Sequence, residues 1–273
     1  MVAVITLTTD FGTRDPYVAE MKAVILGLNP AVRLIDVTHD VAAHDVVEGG
    51  LALETMACLC PEGTVHVGVV DPGVGTGRRG LVVAARGQYF VGPDNGIFTS
   101  LLARPGWQAF ELRAPEYQRP AVSATFHGRD VFAPAAAHLT LGVGAPHFGP
   151  PVTDPVCVAW PEVREVGGEV EGQVIHVDRF GNLITSIDSE TVERLTRGGV
   201  IVTASIGRRQ VPLVRTYGDL TEGSAGALVG SRGRLEVAVR QGSAAQHLRV
   251  RRGARVRLSR STRTSRAPGR GRS

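Results

Sequence analysis

Cysteine is scarce in this 273-residue chain. Cys58, Cys60 and Cys157 are odd in number and form no two Cys-x-x-Cys pairs, which argues against a disulfide framework and a zinc ribbon and predicts buried thiols. Long apolar runs are missing too. No stretch approaches the roughly 20 residues a membrane helix needs, and no basic segment followed by an apolar signal core opens the sequence. The expectation is a cytoplasmic protein with no membrane partner. Nucleotide-loop signatures are absent as well: the glycine-rich stretch 70–80 holds no lysine and runs into a Val-rich segment, so it is neither a Rossmann fingerprint nor a P-loop. Acids are absent from the C-terminal end. From Arg260 onward there are five arginines and no Asp or Glu, so removing that tail takes the formal charge from +4 to −1. The tail 260–273 is expected to be disordered and to adhere weakly to polyanions, with no specific nucleic-acid partner.

Against these absences stands one organised stretch, Val70-Asp71-Pro72-Gly73-Val74-Gly75-Thr76-Gly77-Arg78-Arg79-Gly80. Valine-rich runs at 64–70 and 81–85 flank it and read as buried strands. The short glycine loop between them presents one carboxylate and two guanidinium groups on a backbone free to adopt conformations other residues avoid. It reads as a catalytic loop; the alternative is an ordinary hairpin whose arginines are solvated.

The run 3–9 reads as a buried strand delivering Asp10 at its carboxyl end. Asp15, as a cap, and Pro16, in the first turn, open a helix reaching about Asn29. A strand at 32–37 and a helix at 45–58 follow. This alternation implies a mostly parallel sheet covered by helices, with ligands beyond the carboxyl ends of the strands. Asp36, His39, Asp40, His44 and Asp45 lie close in sequence, yet their spacing matches no ligand motif, and no metal is expected. A strand at 87–92 ends in the turn Gly92-Pro93-Asp94-Asn95-Gly96. His127 precedes an alanine-rich helix at 131–141, where the helix dipole would favour neutral imidazole and suit a general base. A loop histidine bonded to a carbonyl is the alternative.

Five prolines between positions 142 and 165 mark a boundary. The expected organisation is a domain at 1–150, a linker at 151–165 and a second domain at 166–259. Short β runs dominate the latter, with brief helices near 189–195 and 243–248, so it reads as a small barrel. Two of its loops look like sites, Asp178-Arg179-Phe180-Gly181-Asn182 and Gly230-Ser231-Arg232-Gly233. Asp178, Phe180 and Asn182 supply an acceptor, a stacking face and an amide, suited to an adenine-like ring.

In combination, Thr-Thr-Asp-Phe-Gly at 8–12, Val-Asp-Pro-Gly-Val-Gly at 70–75, Gly-Pro-Asp-Asn-Gly at 92–96, Thr-Phe-His-Gly-Arg-Asp at 125–130, Asp-Arg-Phe-Gly-Asn at 178–182 and Leu-Glu-Val-Ala-Val-Arg-Gln-Gly at 235–242 are specific. On these motifs the chain resembles the S-adenosylmethionine hydroxide adenosyltransferases, hydrolases related to the fluorinase and chlorinase. The resemblance implies an N-terminal α/β/α domain with a mostly parallel sheet, a smaller C-terminal β-barrel, and a homotrimer with active sites at subunit interfaces. It implies that Asp71, Arg78 and His127 activate water, that Asp10 grips the ribose hydroxyls, and that Asp15 and Asp178 hold the methionine ammonium. Ser231 then falls at the methionine carboxylate, Phe180, Asn182 and backbone near Val239 at the adenine, and Asn95 among the binding residues.

The implied reaction is attack of water or hydroxide on ribose C5′ of S-adenosyl-L-methionine, giving adenosine and methionine. Arg78 would stabilise the developing hydroxide, Asp71 balance its charge and His127 accept the proton. No cofactor is implied beyond the substrate. Halogenases of the resembling group carry tyrosine at Asp71, serine at Gly128 and, in fluorinases, tryptophan at His44, so the hydrolase side fits. Tyr17, where the fluorinase has serine, departs from that pattern. The other readings are a chlorinase-like halogenase and a non-catalytic trimer that binds an adenosyl ligand.

Overall fold

The computed structural model describes residues 2–260. Its chain divides into two compact units, with the break between Trp160 and Pro161. The first unit runs β1 (Val4–Thr9), α1 (Tyr17–Leu28), β2 (Arg33–Thr38), α2 (Val46–Leu59), β3 (Val65–Val69), β4 (Gly80–Ala85), β5 (Gln88–Pro93), α3 (Thr99–Leu102), β6 (Gln108–Glu111) and α4 (Ala133–Thr140). Among the described residues its sheet has six strands in the order β2-β1-β3-β5-β4-β6. It is parallel from β2 to β5 and antiparallel at β4 and β6.

β1, β3, β4 and β5 are buried on both faces, which is why they read as continuous apolar runs with no alternation. One face packs Ile5, Leu7, Val67 and Val91 against Met21 and Ile25 of α1 and the alanines of α4. The other packs Val70, Leu81, Val83 and Phe90 against Leu53 and Ala57 of α2. The result is an α/β/α layer arrangement. Asp45 caps α2, accepting from the Glu48 backbone N–H at 3.0 Å.

Local readings differ from the structure at several places. Asp15 does not cap α1: Pro16 occupies the cap position, its carbonyl accepts from the Glu20 N–H at 2.9 Å, and Asp15 is exposed. The thiols are not buried. Cys58 and Cys157 are exposed and Cys60 is half-buried, because α2 ends at the surface and 157 lies on the outer segment before the break. The segment 151–160, read as the start of a linker, belongs to the first unit. Val156 N–H donates to Asp94 Oδ1 at 2.7 Å and Val158 N–H to Thr99 Oγ1 at 3.0 Å. The predicted helix at 131–141 begins with a π-helical turn, Gly128–Phe132, before α4.

The second unit contains β7 (Arg164–Val166), β8 (Glu169–Val177), β9 (Leu183–Asp188), α5 (Ser189–Thr196), β10 (Val202–Ile206), β11 (Arg209–Pro212), β12 (Ala225–Val229), β13 (Arg234–Val239), α6 (Ala244–Leu248) and β14 (Arg255–Arg260). Its strands follow the order β11-β10-β14-β8-β9-β13-β12, every pair antiparallel, with β7 added beside β8. Leu213, just past β11, bridges Ala227 of β12, and Val214 N–H donates to Ala227 O at 2.8 Å. That contact joins the two ends of the sheet and makes a nearly closed barrel. Val170, Val174, Leu183, Ala204, Val237 and Val256 fill its interior. Arg260, placed in the tail by sequence, ends β14 opposite Val202; the rest of the predicted tail lies outside the described residues. No helix among the described residues is long and apolar enough to cross a membrane.

Candidate active site

β3 and β4 are not a hairpin. β5 lies between them, so the loop 70–79 crosses over the end of β5 and is held there from beneath. Asn95, in the turn after β5, donates Nδ2–H to Val70 O at 2.8 Å. Within the loop, Thr76 hydroxyl donates to Gly73 O at 2.7 Å. Gly75 has φ +77°, and a Cβ there would stand 2.7 Å from Ala124 O. Only glycine lets this loop lie against the segment that carries His127.

That approach assembles a cluster from positions far apart in sequence. Arg78 donates Nε–H to Asp71 Oδ1 at 2.9 Å and Nη2–H to Asp71 Oδ2. The same Nη2 donates to His127 Nδ1 at 2.9 Å. The guanidinium also lies over the Phe132 ring, 5.2 Å from its centroid. The Asp71 and Arg78 side chains are only 5% and 11% exposed. Burial, followed by the positive charge of Arg78, holds the His127 ring below its ordinary pKa, against the opposing pull of Asp71 and Asp130. Burial and Arg78 thus favour the neutral imidazole expected from sequence, and His127 stands at the N-cap of the helical turn Gly128–Phe132.

Arg79, the second guanidinium of the loop, takes no part. It donates Nε–H to Asp94 Oδ2 at 2.8 Å and reaches Asp154 Oδ1 at 2.8 Å, tying the loop to the segment 151–160. Asp10 sits at the neighbouring strand end, since Thr9 pairs with Val69 across β1 and β3. Its Oδ2 accepts from His44 N–H at 3.0 Å. Asp36 and Asp45 are committed elsewhere: Asp36 lies 2.6 Å from Lys22 Nζ and 3.1 Å from His39 Nε2, and Asp45 caps α2. Among the described residues no three His, Cys, Asp or Glu side chains are gathered as metal ligands would be.

Two features near this cluster escaped the sequence reading. Phe11, Tyr17 and Phe126 form a ring triangle with centroids 5.2 to 5.7 Å apart, and Asp10 and His127 are chain neighbours of two of them. Asp130, fully buried, accepts from Arg119 Nη1, from Arg129 Nε and Nη2, and from Ser123 N–H, at 2.7 to 3.0 Å. It braces the turn that starts at His127. Phe11, Phe126 and Asp130 were visible as members of motifs, but nothing local revealed their partners.

In the second unit Asp178, Phe180 and Asn182 share one loop. Asp178 Oδ1 accepts from Phe180 N–H at 2.9 Å and Asn182 N–H at 2.8 Å, and its Oδ2 from Asn182 Nδ2 at 3.0 Å. Phe180 is left 76% exposed, while Asn182 and Val239 are buried. Ser231 sits exposed in the β12–β13 turn and Val239 ends β13, so these two lie at opposite ends of one strand. Tyr217, also missed, donates its hydroxyl to the buried carboxylate of Glu236, and burial together with that carboxylate pushes its pKa up to about 12.

Comparison with known proteins agrees with these features. Residues 5–149 match the profile of the SAM hydroxide adenosyltransferase N-terminal domain, and residues 172–257 that of the C-terminal domain. A Thermus thermophilus protein named (R)-S-adenosyl-L-methionine hydrolase is 43% identical over 258 residues, covering 92% of this chain and 97% of the relative. A fluorinase from Actinopolyspora mzabensis is 29% identical over 291 residues, covering 94% and 97%. The crystal structure of an uncharacterized conserved protein from Thermotoga maritima superposes with a TM-score of 0.87 at 33% identity, covering 95% of this chain and all of that one. With both halves matched and the fold shared along nearly its whole length, the chain belongs to the SAM hydroxide adenosyltransferase family.

Proposed function

We propose that this protein hydrolyses S-adenosyl-L-methionine to adenosine and methionine, acting on the (R) sulfonium form that names its relatives. The observation that carries the reading is the hydrogen-bonded cluster of Asp71, Arg78 and His127, in a chain 43% identical to such a hydrolase. A sulfonium leaves as a neutral thioether, so the substrate needs neither metal nor redox cofactor for departure. What it needs is an oriented water in a dry setting, and a buried carboxylate–guanidinium–imidazole group is suited to hold one. Asp10, Asp15 and Asn95 in the first unit and Asp178, Phe180, Asn182, Ser231 and Val239 in the second are the binding residues of this reading. A homotrimer and a cytoplasmic location belong to the same proposal, the first supported by the family resemblance and the second by the sequence composition.

A halide nucleophile fits less well. Fluorinase relatives are more distant, and Gly128, where halogenases of the resembling group carry serine, is closely surrounded. A Cβ there would lie 3.2 Å from Phe126 and 3.3 Å from Met21. Incubation with each sulfonium epimer in water labelled with heavy oxygen should yield adenosine carrying the label at its 5′ oxygen, faster from the (R) form. Adenosine without label, or efficient formation of a halogenated nucleoside with chloride or fluoride, would overturn the proposal.

A further inference from the structure

Arg78 determines which ring nitrogen of His127 carries the proton. A guanidinium has N–H donors and no acceptor, and it stays charged in proteins. Its Nη2 is 2.9 Å from His127 Nδ1, so Nδ1 must offer its lone pair. The single proton of the neutral ring is then on Nε2. Protonating Nδ1 would set one N–H against another. With Nδ1 occupied and Nε2 already protonated, the ring has no lone pair left to receive a proton from water. Asp71 is placed differently: each of its oxygens accepts one bond from Arg78 and keeps a second lone pair.

We propose that Asp71 is the proton acceptor of this cluster, and that His127 is a donor through Nε2–H that orients the water. This assignment deepens the hydrolase reading and rests on it. In the step, one lone pair of water forms the bond to C5′ while the C5′–S bond breaks, its electron pair leaving with methionine as a neutral thioether. The second lone pair of the water oxygen accepts Nε2–H. The oxygen becomes strongly acidic as it bonds to carbon, and its proton passes to Asp71 and then to solvent. Water and the sulfonium thus give adenosine, methionine and one proton, with no other reactant. A carboxylate is base enough, because it acts on an oxygen that is already acidic.

The test uses His127→Gln, His127→Ala and Asp71→Asn in the full-length protein. Glutamine can accept from Arg78 through Oε1 and donate through Nε2, so His127→Gln should keep kcat within about tenfold of the parent while His127→Ala loses about a hundredfold or more. Asp71→Asn should lose about a thousandfold. Nitrogen NMR of the histidine-labelled parent, which needs no variant to fold, should find Nδ1 bare and Nε2 protonated at neutral pH. Equal loss in His127→Gln and His127→Ala, an active Asp71→Asn, or a proton on Nδ1 would each overturn the assignment. A parent that releases no adenosine would sink the hydrolase reading instead, a result distinct from any of these.

Discussion

Asp71 and Asp130 are both buried aspartates of the first unit set against arginine, and they differ in how much of their hydrogen-bonding capacity is spent. Asp130 accepts four bonds, two on each oxygen, from Arg119, Arg129 and the Ser123 backbone. Burial alone would raise its pKa, but Arg129, Ser123 and Arg119 outweigh burial and hold it at about 2. Asp71 accepts two bonds, both from Arg78, and that chain of contacts ends at an imidazole with one ring nitrogen open. A carboxylate with every lone pair used can only support structure, whereas one with lone pairs to spare can take part in chemistry.

Substituting Arg78 by lysine tests the unsaturated side of this contrast and carries the largest expected effect. Lysine keeps the charge but cannot bridge Asp71 and His127 together, so kcat should fall by about a hundredfold or more while the fold persists. Adenosine release and a circular dichroism melt measure the two together. Near-normal turnover would mean that the bridge is not part of the reaction.

On the saturated side, Asp130→Ala should cost stability before it costs rate. Four donors lose a buried acceptor, and because both arginines reach solvent the loss should be about 2 kcal/mol by urea unfolding, below the cost for a fully buried pair. The pH dependence gives a sign. The folded value of about 2 lies below the unfolded 3.8, so the contribution of Asp130 is complete above pH 3.8 and fades as pH falls through about 2. The variant should lack that part of the acid-unfolding profile. An unchanged profile would show that its hydrogen bonds do not stabilise the native state.

The smallest effect is expected at Arg79, which shares the loop with Arg78. Its contact with Asp154 joins a partly exposed guanidinium to a carboxylate 79% exposed, and such pairs contribute little. Asp154→Ala should leave both the unfolding midpoint and kcat unchanged, since Asp94 still holds Arg79. A marked loss of turnover would show that the position of Arg79 matters to Arg78 beside it.

Strand runs, the α/β layering and the barrel were legible in the sequence, because periodicity and turns are local properties of the chain. The motif loops stood out for the same reason, through glycine and proline at fixed offsets. What sequence could not supply was long-range pairing. Consecutive side chains of an extended segment point opposite ways, so one of Arg78 and Arg79 had to face away from His127. Which one was decided by β5 entering between β3 and β4 and carrying Asp94 to the side of Arg79. The surface position of Cys58 and Cys157, the four donors on Asp130 and the contact of Arg78 with Nδ1 of His127 likewise depend on groups distant in the chain. Residue types thus determined which chemistry was available, and tertiary contacts decided which lone pairs and protons remained free to perform it.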